Sequence, residues 1–511
     1  MRRFLPPQMH MEWPQIIWIV CYAVAVLGLS GYGMHRFMTI FLYWKHRKDV
    51  PKPLKRFDEL PKITVQLPIF NEAYVVQRLI RSVGEIDYPK DKLQIQILDD
   101  STDDTTTLCE GEAELLRAQG WDAKVHHRTD RTGFKAGALE QGMKTAEGDL
   151  VFILDADFVP PKDILHEIVH FFTDPKLGMV QTRWGHINKS YSLLTKIQAM
   201  FLDGHLILEQ TARSRSGRFF QFNGTGGIWR RECIEDAGGW QHDTLTEDLD
   251  LSYRAQLKGW GFVFLKDVVT PAELPVDMDG FKSQQHRWTK GSIQCCKKML
   301  FRVWKSKESL PIKLEATMHL TSNFAYLLLG LLIFLLYPSD ARPEFQGIWA
   351  LMINVPIFVA ASLSVSIFYA SAQRVLHPKR WLKELIYLPL LLALGIGMSI
   401  NNGKAVIEAI FNKKSPFVRT PKYGIDRKKV TWQNLRYTAL KSVAPVFEIL
   451  FAVYFTVLIG ISIAKGYWLS IPFLLLFQVG FFYVAWGSIS QYLPTKWFAS
   501  SDDKDEKQAA V

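Results

Sequence analysis

Cysteine is scarce in this chain. Five occur in 511 residues, Cys21, Cys109, Cys233, Cys295 and Cys296, and no two stand in CxxC spacing. That excludes a disulfide scaffold and suggests a reducing environment for the middle of the chain. A zinc site is not expected either, since His126 and His127 are adjacent and not helix-spaced. No GxxxxGK[ST] loop is present, which argues against ATP-driven transport. Glycine (33) and proline (24) are at ordinary levels, so collagen-like and disordered classes are excluded. Acidic excess is absent as well: 61 Lys and Arg against 50 Asp and Glu leave a formal charge of +11.

What is present is a division. Charge-poor stretches lie toward both ends, and a long polar block lies between them. Pro14–Met34 carries no charge and spans about 30 Å as a helix. It is too long for the apolar part of a signal peptide, and no small-residue cleavage site follows. Lys45, Arg47, Lys48, Lys52, Lys55 and Arg56 come next. By the positive-inside rule this helix runs outward to inward, which places the polar block in the cytoplasm. Thr317–Tyr337 and Gln346–Ala370 read as two further spans, Ser442–Ala464 and Gly466–Leu493 as the last two.

Leu385–Gly403 is uncharged and long enough to span. A sixth span there would put the basic stretch Lys413–Lys429 outside, against the charge rule. An interfacial or re-entrant helix broken near Pro389 or Gly395–Gly397 keeps that stretch inside. The expected division is therefore a membrane helix (1–45), a basic linker (46–60), an α/β domain (61–275) and interfacial helices (276–312). Two membrane helices (313–370), the interfacial or re-entrant segment (371–411), a basic loop (412–430), two more membrane helices (441–495) and a disordered tail (496–511) follow. Glu448, an acid within a span, is a functional candidate or a satisfied packing partner. The positive charge gathers beside the membrane, so nucleic acid is not needed to explain it.

Within the polar block, Ile63–Phe70, Leu93–Leu98 and Leu150–Leu154 read as strands alternating with helical stretches. This implies a mostly parallel, Rossmann-like α/β sheet, whose ligands bind at the carboxyl ends of strands. Two acidic clusters fall at those ends: Asp99–Asp100 and Asp155-Ala-Asp157. A single strand-end Asp is commonly a helix cap; two such clusters point to a site. Asp155 and Asp157 suit a hard cation, Mg²⁺ or Mn²⁺, shared with substrate phosphates.

The ordered set resembles the processive family 2 glycosyltransferases, the cellulose-synthase-like group. Asp99–Asp100, Asp155-Ala-Asp157, Thr246-Glu247-Asp248 and Gln284-Gln-His-Arg287-Trp288 follow that family's D, DxD, TED and QxxRW pattern. Pro68-Ile-Phe-Asn71-Glu72, Lys135-Ala-Gly137-Ala-Leu139 and Phe222-Asn-Gly224-Thr225-Gly226-Gly227 add to it. In wording it is most similar to plant-type mannan and glucan synthase-like proteins. The likeness is close over Ile63 to Lys298.

The resemblance implies a glycosyltransferase A fold set among about five spans. It implies that Asp99, Asp100, Asn71 and Glu72 serve the nucleotide sugar, with Asp157 and Asp155 at the metal. Asp248 is the expected general base, with Glu247 as competing candidate; in an extended segment both could not face the site. Lys135 and Arg287 are expected at the diphosphate, Gln284 beside them and Trp288 under the acceptor sugar. Phe417-Val-Arg419-Thr420-Pro-Lys422 is similar to a gating loop with the pattern FxVTxK, which would bring Thr420 and Lys422 to the phosphates. Arg419 stands where that pattern has Val.

The implied donor is UDP-glucose or GDP-mannose and the acceptor a growing β-linked glucan or mannan, secreted through the chain's own helices among membrane lipids. An oligomer is compatible with this. The location would be a bacterial inner membrane, or the Golgi membrane in a eukaryote. Rival readings are single transfer to a lipid and a non-catalytic part of an export complex. No regulatory domain of the cyclic di-GMP kind and no cysteine-rich zinc module is expected. The sequons at Asn188 and Asn223 should stay unmodified in a cytoplasmic block, and Cys295–Cys296 should be a packed pair.

Overall fold

A computed structural model describes residues 12–335, 362–413, 419–425 and 443–491. Most of the expected span Gln346–Ala370, Phe417 of the basic loop and the tail lie outside them.

Seven strands form one sheet: β1 (Ile63–Ile69), β2 (Leu93–Asp99), β3 (Asp122–His127), β4 (Leu150–Ile153), β5 (Leu177–His186), β6 (Gly227–Arg230) and β7 (Gly261–Ala272). Their order is β3-β2-β1-β4-β6-β5-β7. β1 pairs in parallel with β2 and β4, β2 with β3, and β5 with β7. β6 alone runs against its neighbours β4 and β5. One edge of the sheet therefore gathers six carboxyl ends together with the amino end of β6. That reversal carries the loop Asn223–Gly226 to the edge where the acidic clusters are.

β1 and β2 are covered on both faces, so their residues are buried along nearly their whole length. The polar residues this traps are paired across the strands. Thr64 Oγ1 donates to Gln94 Oε1 at 2.9 Å, and Gln66 Nε2 donates to Gln96 Oε1 at 3.0 Å. Asn188 and Asn223, the asparagines of the two sequons, are both buried. Cys295 and Cys296 are buried as well.

The helix Met278–Lys305 leads from the sheet toward the membrane helices. Asp277 caps it, its side chain accepting from the Gly280 N–H. Gln284, Arg287 and Trp288 are three and four residues apart, so they share one face of it. Behind that face Lys282 Nζ lies 2.7 Å from Glu448 Oε2 and donates to Ser488 Oγ at 2.7 Å. Lys282 thus ties this helix to two apolar helices, to one of them through the carboxylate singled out in the sequence.

Among the described residues, four helices are long and apolar enough to cross a membrane: Trp13–His46, Leu310–Leu335, Ala444–Ala464 and Trp468–Ser490. The first continues well past Met34, and the second begins before Thr317. A fifth exists if Trp381–Gly397 and Ser399–Ile410, bent by 41° at Met398, form one broken span. The same pair also fits a re-entrant loop.

Candidate active site

The cleft at the gathered strand ends is built from loops after β1, β2, β4, β5 and β7, the loop before β6, and the helix Met278–Lys305. Glu72, Asp100, Lys135, Asp155, Asp157, Glu247, Asp248, Gln284, Arg287, Trp288, Thr420 and Lys422 all line it. The sequence scatters them over some 350 positions; the topology brings them together.

Asn71 and Asp99 do not line it. Asn71 sits at φ 52, a left-handed conformation Asn tolerates. Its Oδ1 accepts from Thr102 N–H at 2.8 Å, and its own N–H donates to Ser101 Oγ at 2.9 Å, joining the loops after β1 and β2. Asp99 is fully buried. Its carboxylate accepts from Ser101 N–H (3.0 Å) and Thr106 Oγ1 (2.7 Å) and meets His127 Nδ1 (2.8 Å). Direct substrate contact from Asn71 or Asp99 has no support in this geometry, because both side chains are spent on holding the loops. Asp100 is the acid that reaches the cleft, gripped by Arg128 through Nε (2.7 Å) and Nη2 (2.6 Å).

Asp155 and Asp157 each meet a lysine. Lys135 Nζ donates to Asp155 Oδ1 at 2.6 Å and to the Gly224 carbonyl at 2.8 Å. Burial alone would raise the Asp155 carboxyl; Lys135 and Lys422 outweigh it and hold the group below its ordinary range. Lys422 Nζ lies 2.6 Å from Asp157 Oδ1 and 3.2 Å from Glu72 Oε1. The neighbouring Tyr423 N–H donates to Glu273 Oε1, just past the end of β7, at 3.0 Å, which fixes this segment over the cleft. The Thr420 hydroxyl is buried with no hydrogen-bond partner among the described residues.

Glu247 and Asp248 open the helix Glu247–Leu257. Because they begin a helical turn, both adjacent side chains face the cleft, contrary to the exclusion an extended segment would impose. Gly291 makes this approach possible: a Cβ there would lie 2.5 Å from Thr246 Cγ2. Asp248 Oδ1 accepts from the Leu249 N–H at 2.8 Å. Burial, and then the Glu247 charge, push the Asp248 carboxyl up to about 7 against the pull of Lys135. Burial raises Glu247 too. Gly224 stands at φ +84, and a Cβ there would meet Asp248 Oδ2 at 3.0 Å.

Arg287 lies among Glu247, Asp155 and Asp248; burial lowers its guanidinium, and those acids oppose the change. Trp288 faces Trp184 at 6.4 Å, and Trp184 meets Phe158 edge-on at 5.6 Å. Trp184 Nε1 donates to the Thr225 carbonyl at 3.1 Å. Sequence reasoning missed Arg128 and Trp184. Their signal was only position, just beyond β3 and near the end of β5.

A divalent cation fits the chemistry of Asp155 and Asp157, both hard oxygen donors. Among the described residues no three His, Cys, Asp or Glu side chains converge as a preformed metal cage. The two carboxylates would leave most of the coordination shell to phosphate oxygens.

Comparison with known proteins agrees with this layout. Residues 61–291 match the model of the "Glycosyltransferase like family 2". The chain is 31% identical to glucomannan 4-beta-mannosyltransferase 7 of Arabidopsis thaliana, over 85% of this chain and 78% of that protein. It is 42% identical to probable glucomannan 4-beta-mannosyltransferase 6 of Oryza sativa subsp. japonica, over 48% of this chain and 44% of that one. With glucomannan 4-beta-mannosyltransferase 2 of Arabidopsis thaliana it shares 38% over 53% of each. The chain thus spans about half the length of the last two relatives. Among solved structures, the mannosyltransferase PcManGT from Pyrobaculum calidifontis, in complex with GDP-Man and Mn²⁺, superposes with a TM-score of 0.53 at 21% identity. That match covers 78% of this chain and all of the other, and it shows a shared fold.

Proposed function

Because the chain belongs to the family 2 glycosyltransferases, in their cellulose-synthase-like branch, we propose that it extends a β-linked mannan or glucomannan, β-1,4 in linkage, from GDP-mannose. The observation that carries this is the meeting of Asp248 with the Asp155–Asp157 pair and the Arg287–Trp288 helix face in one cleft. The plant mannosyltransferases support the sugar and the linkage. Neither they nor the GDP-Man complex of the fold neighbour favours UDP-glucose.

The reaction is a single displacement. The acceptor hydroxyl gives its proton to Asp248, its oxygen bonds to the anomeric carbon, and the bond from that carbon to the diphosphate breaks. The nucleoside diphosphate leaves with the electron pair. An α-linked donor then yields a β-linked product. Asp248, with its carboxyl near neutrality, is basic enough to take the proton and acidic enough to release it. Lys135, Arg287 and Lys422 place positive charge where the diphosphate departs. Mn²⁺ or Mg²⁺ held by Asp155 and Asp157 would neutralise the charge gathering on the leaving group. Trp288 offers its face to the acceptor ring, and Thr420 offers a hydroxyl to the donor.

We place the enzyme in a membrane as a multi-pass protein, with the product leaving between its apolar helices. The relatives named above are plant proteins, which lends a bacterial inner membrane no support.

The test is incubation of the purified chain with labelled GDP-mannose or UDP-glucose and Mn²⁺ or Mg²⁺. A long product from GDP-mannose that mannanase digests supports the reading. Label found in lipid alone overturns it.

A further inference from the structure

A histidine–carboxylate pair lies in the cleft wall outside every role assigned above. His186 closes β5 two residues after Trp184, so both side chains leave the strand on one face. His186 Nε2 is 3.0 Å from Asp203 Oδ1, and Gln373 Nε2 donates to Asp203 Oδ2 at 3.3 Å. The two side chains are only 7% and 4% exposed, yet His186 lines the cleft. Burial would raise the Asp203 carboxyl, and His186 outweighs it, so Asp203 stays ionised. An ionised carboxylate only accepts, so the proton of the ring sits on Nε2. The other ring nitrogen, Nδ1, has no partner among the described residues; in a neutral ring it would be an acceptor. A buried ring with one nitrogen tethered and the other unused is set for a ligand hydroxyl.

We propose that His186 accepts a hydrogen bond at Nδ1 from a hydroxyl of the acceptor saccharide, with Asp203 and Gln373 as positioning residues that fix its tautomer and tilt. The proposal rests on the sugar-transfer reading above. The side of the cleft decides between acceptor and donor. Asp155 and Asp157 follow β4, and β6 separates β4 from β5. His186 shares its strand end with Trp184, which meets the Trp288 face rather than the phosphate-side lysines. A ring stacked on Trp288 would turn its edge hydroxyls toward this wall. The short motif Trp184-Gly185-His186 also explains the glycine. A Cβ at Gly185 would lie 2.8 Å from Val269 Cγ1, so a larger residue would push the strand end off β7.

The experiment uses the full chain in detergent with Mn²⁺, GDP-mannose and two probes, mannotetraose and cellotetraose. Tetrasaccharide affinity is titrated through tryptophan fluorescence, and KM is measured separately for tetrasaccharide and nucleotide sugar. His186→Phe should weaken tetrasaccharide binding and raise its KM by about tenfold, the scale of one hydrogen bond. The KM for GDP-mannose should stay within about twofold. His186→Ala, which leaves the wall open, should lose as much and guards against a steric fault of the phenyl ring. His186→Gln, which restores an acceptor oxygen, should recover most of the affinity.

Equal tetrasaccharide affinity in wild type and His186→Phe overturns the assignment, as does a loss confined to GDP-mannose or a wild type that binds no tetrasaccharide. Failure of the wild type to transfer any sugar would instead sink the polymer reading, while the fluorescence titration still decides on His186.

Discussion

Two carboxylate pairs face the same cleft, and they are built for opposite purposes. Asp155 and Asp157 each hold a lysine ammonium at 2.6 Å, from Lys135 and Lys422. Asp248 accepts from a backbone N–H of its own helix, and Lys135 and Arg287 act on Glu247 and Asp248 without outweighing burial. The helix start favours negative charge at that second pair, yet burial wins, helped by the Glu247 charge at Asp248 and by the Asp155 charge at Glu247, and both carboxyls are raised. The first pair includes a carboxyl held low. What separates them is the distance to a cation, which outweighs burial in one case and fails to in the other. Asp155 is fitted to stay charged, Asp248 to hold a proton near neutral pH.

The harshest way to break this comparison is Asp248→Asn. The amide keeps the shape and cannot take a proton, so kcat should fall on the order of a thousandfold, with the KM for GDP-mannose little changed. Retained activity would remove the base from the scheme. Asp157→Asn acts on the other pair. It should cost on the order of a hundredfold and raise the Mn²⁺ concentration needed for half activity. An unchanged Mn²⁺ titration would show that the pair does not serve a cation.

How far the sequence reaches differs between these pairs and their surroundings. The strands β1, β2 and β4 were legible because they are dense in apolar residues and end at acids. β3 is short and polar, and β6 has four residues whose reversed direction comes from pairing with β4 and β5; such nonlocal pairing leaves no local pattern. The acids and the Arg287–Trp288 face were legible because their order along the chain is a pattern. The adjacent acids Asp99 and Asp100 were not separable, since only the fold turns one inward to Ser101, Thr106 and His127. The placement of Glu247 beside Asp248 stayed open for a similar reason: whether neighbours share a cleft depends on a helix beginning there. Glu448 stood between function and packing, because the lysine that meets it, Lys282, lies 166 positions away in the chain. Arg128, Trp184 and His186 carry no fixed spacing to any other site residue, so only the gathered strand ends reveal them.

A gentler disturbance is Lys135→Met, which removes the cation shared between the pairs. Lys135 lowers Asp155 and opposes the rise of Asp248. The proposed base Asp248 can take a proton only when ionised, so in the wild type kcat/KM should climb as pH rises through about 7 and fall away below it. Without Lys135 the Asp248 carboxyl rises further, and the acid limb should move to higher pH. At neutral pH the loss should be about tenfold, part of it recovered at alkaline pH. A profile that merely drops without moving would mean Lys135 serves the diphosphate alone.

The mildest change sharpens the comparison from inside the second pair. Glu247→Gln keeps the side chain's size and removes the like charge that pushes Asp248 up. Burial remains, and it is the larger cause, so the Asp248 carboxyl should fall only part of the way toward its ordinary range. The acid limb of kcat/KM should therefore move to lower pH, while the rate on the alkaline plateau stays within about threefold of wild type. The sign is the informative part: losing a negative charge beside the base makes the enzyme more active in acid relative to its own plateau. If Glu247 were itself the base, the same substitution would abolish the plateau and match Asp248→Asn in depth. A pH–rate profile of the two variants side by side separates these outcomes, because one moves along the pH axis and the other down the rate axis.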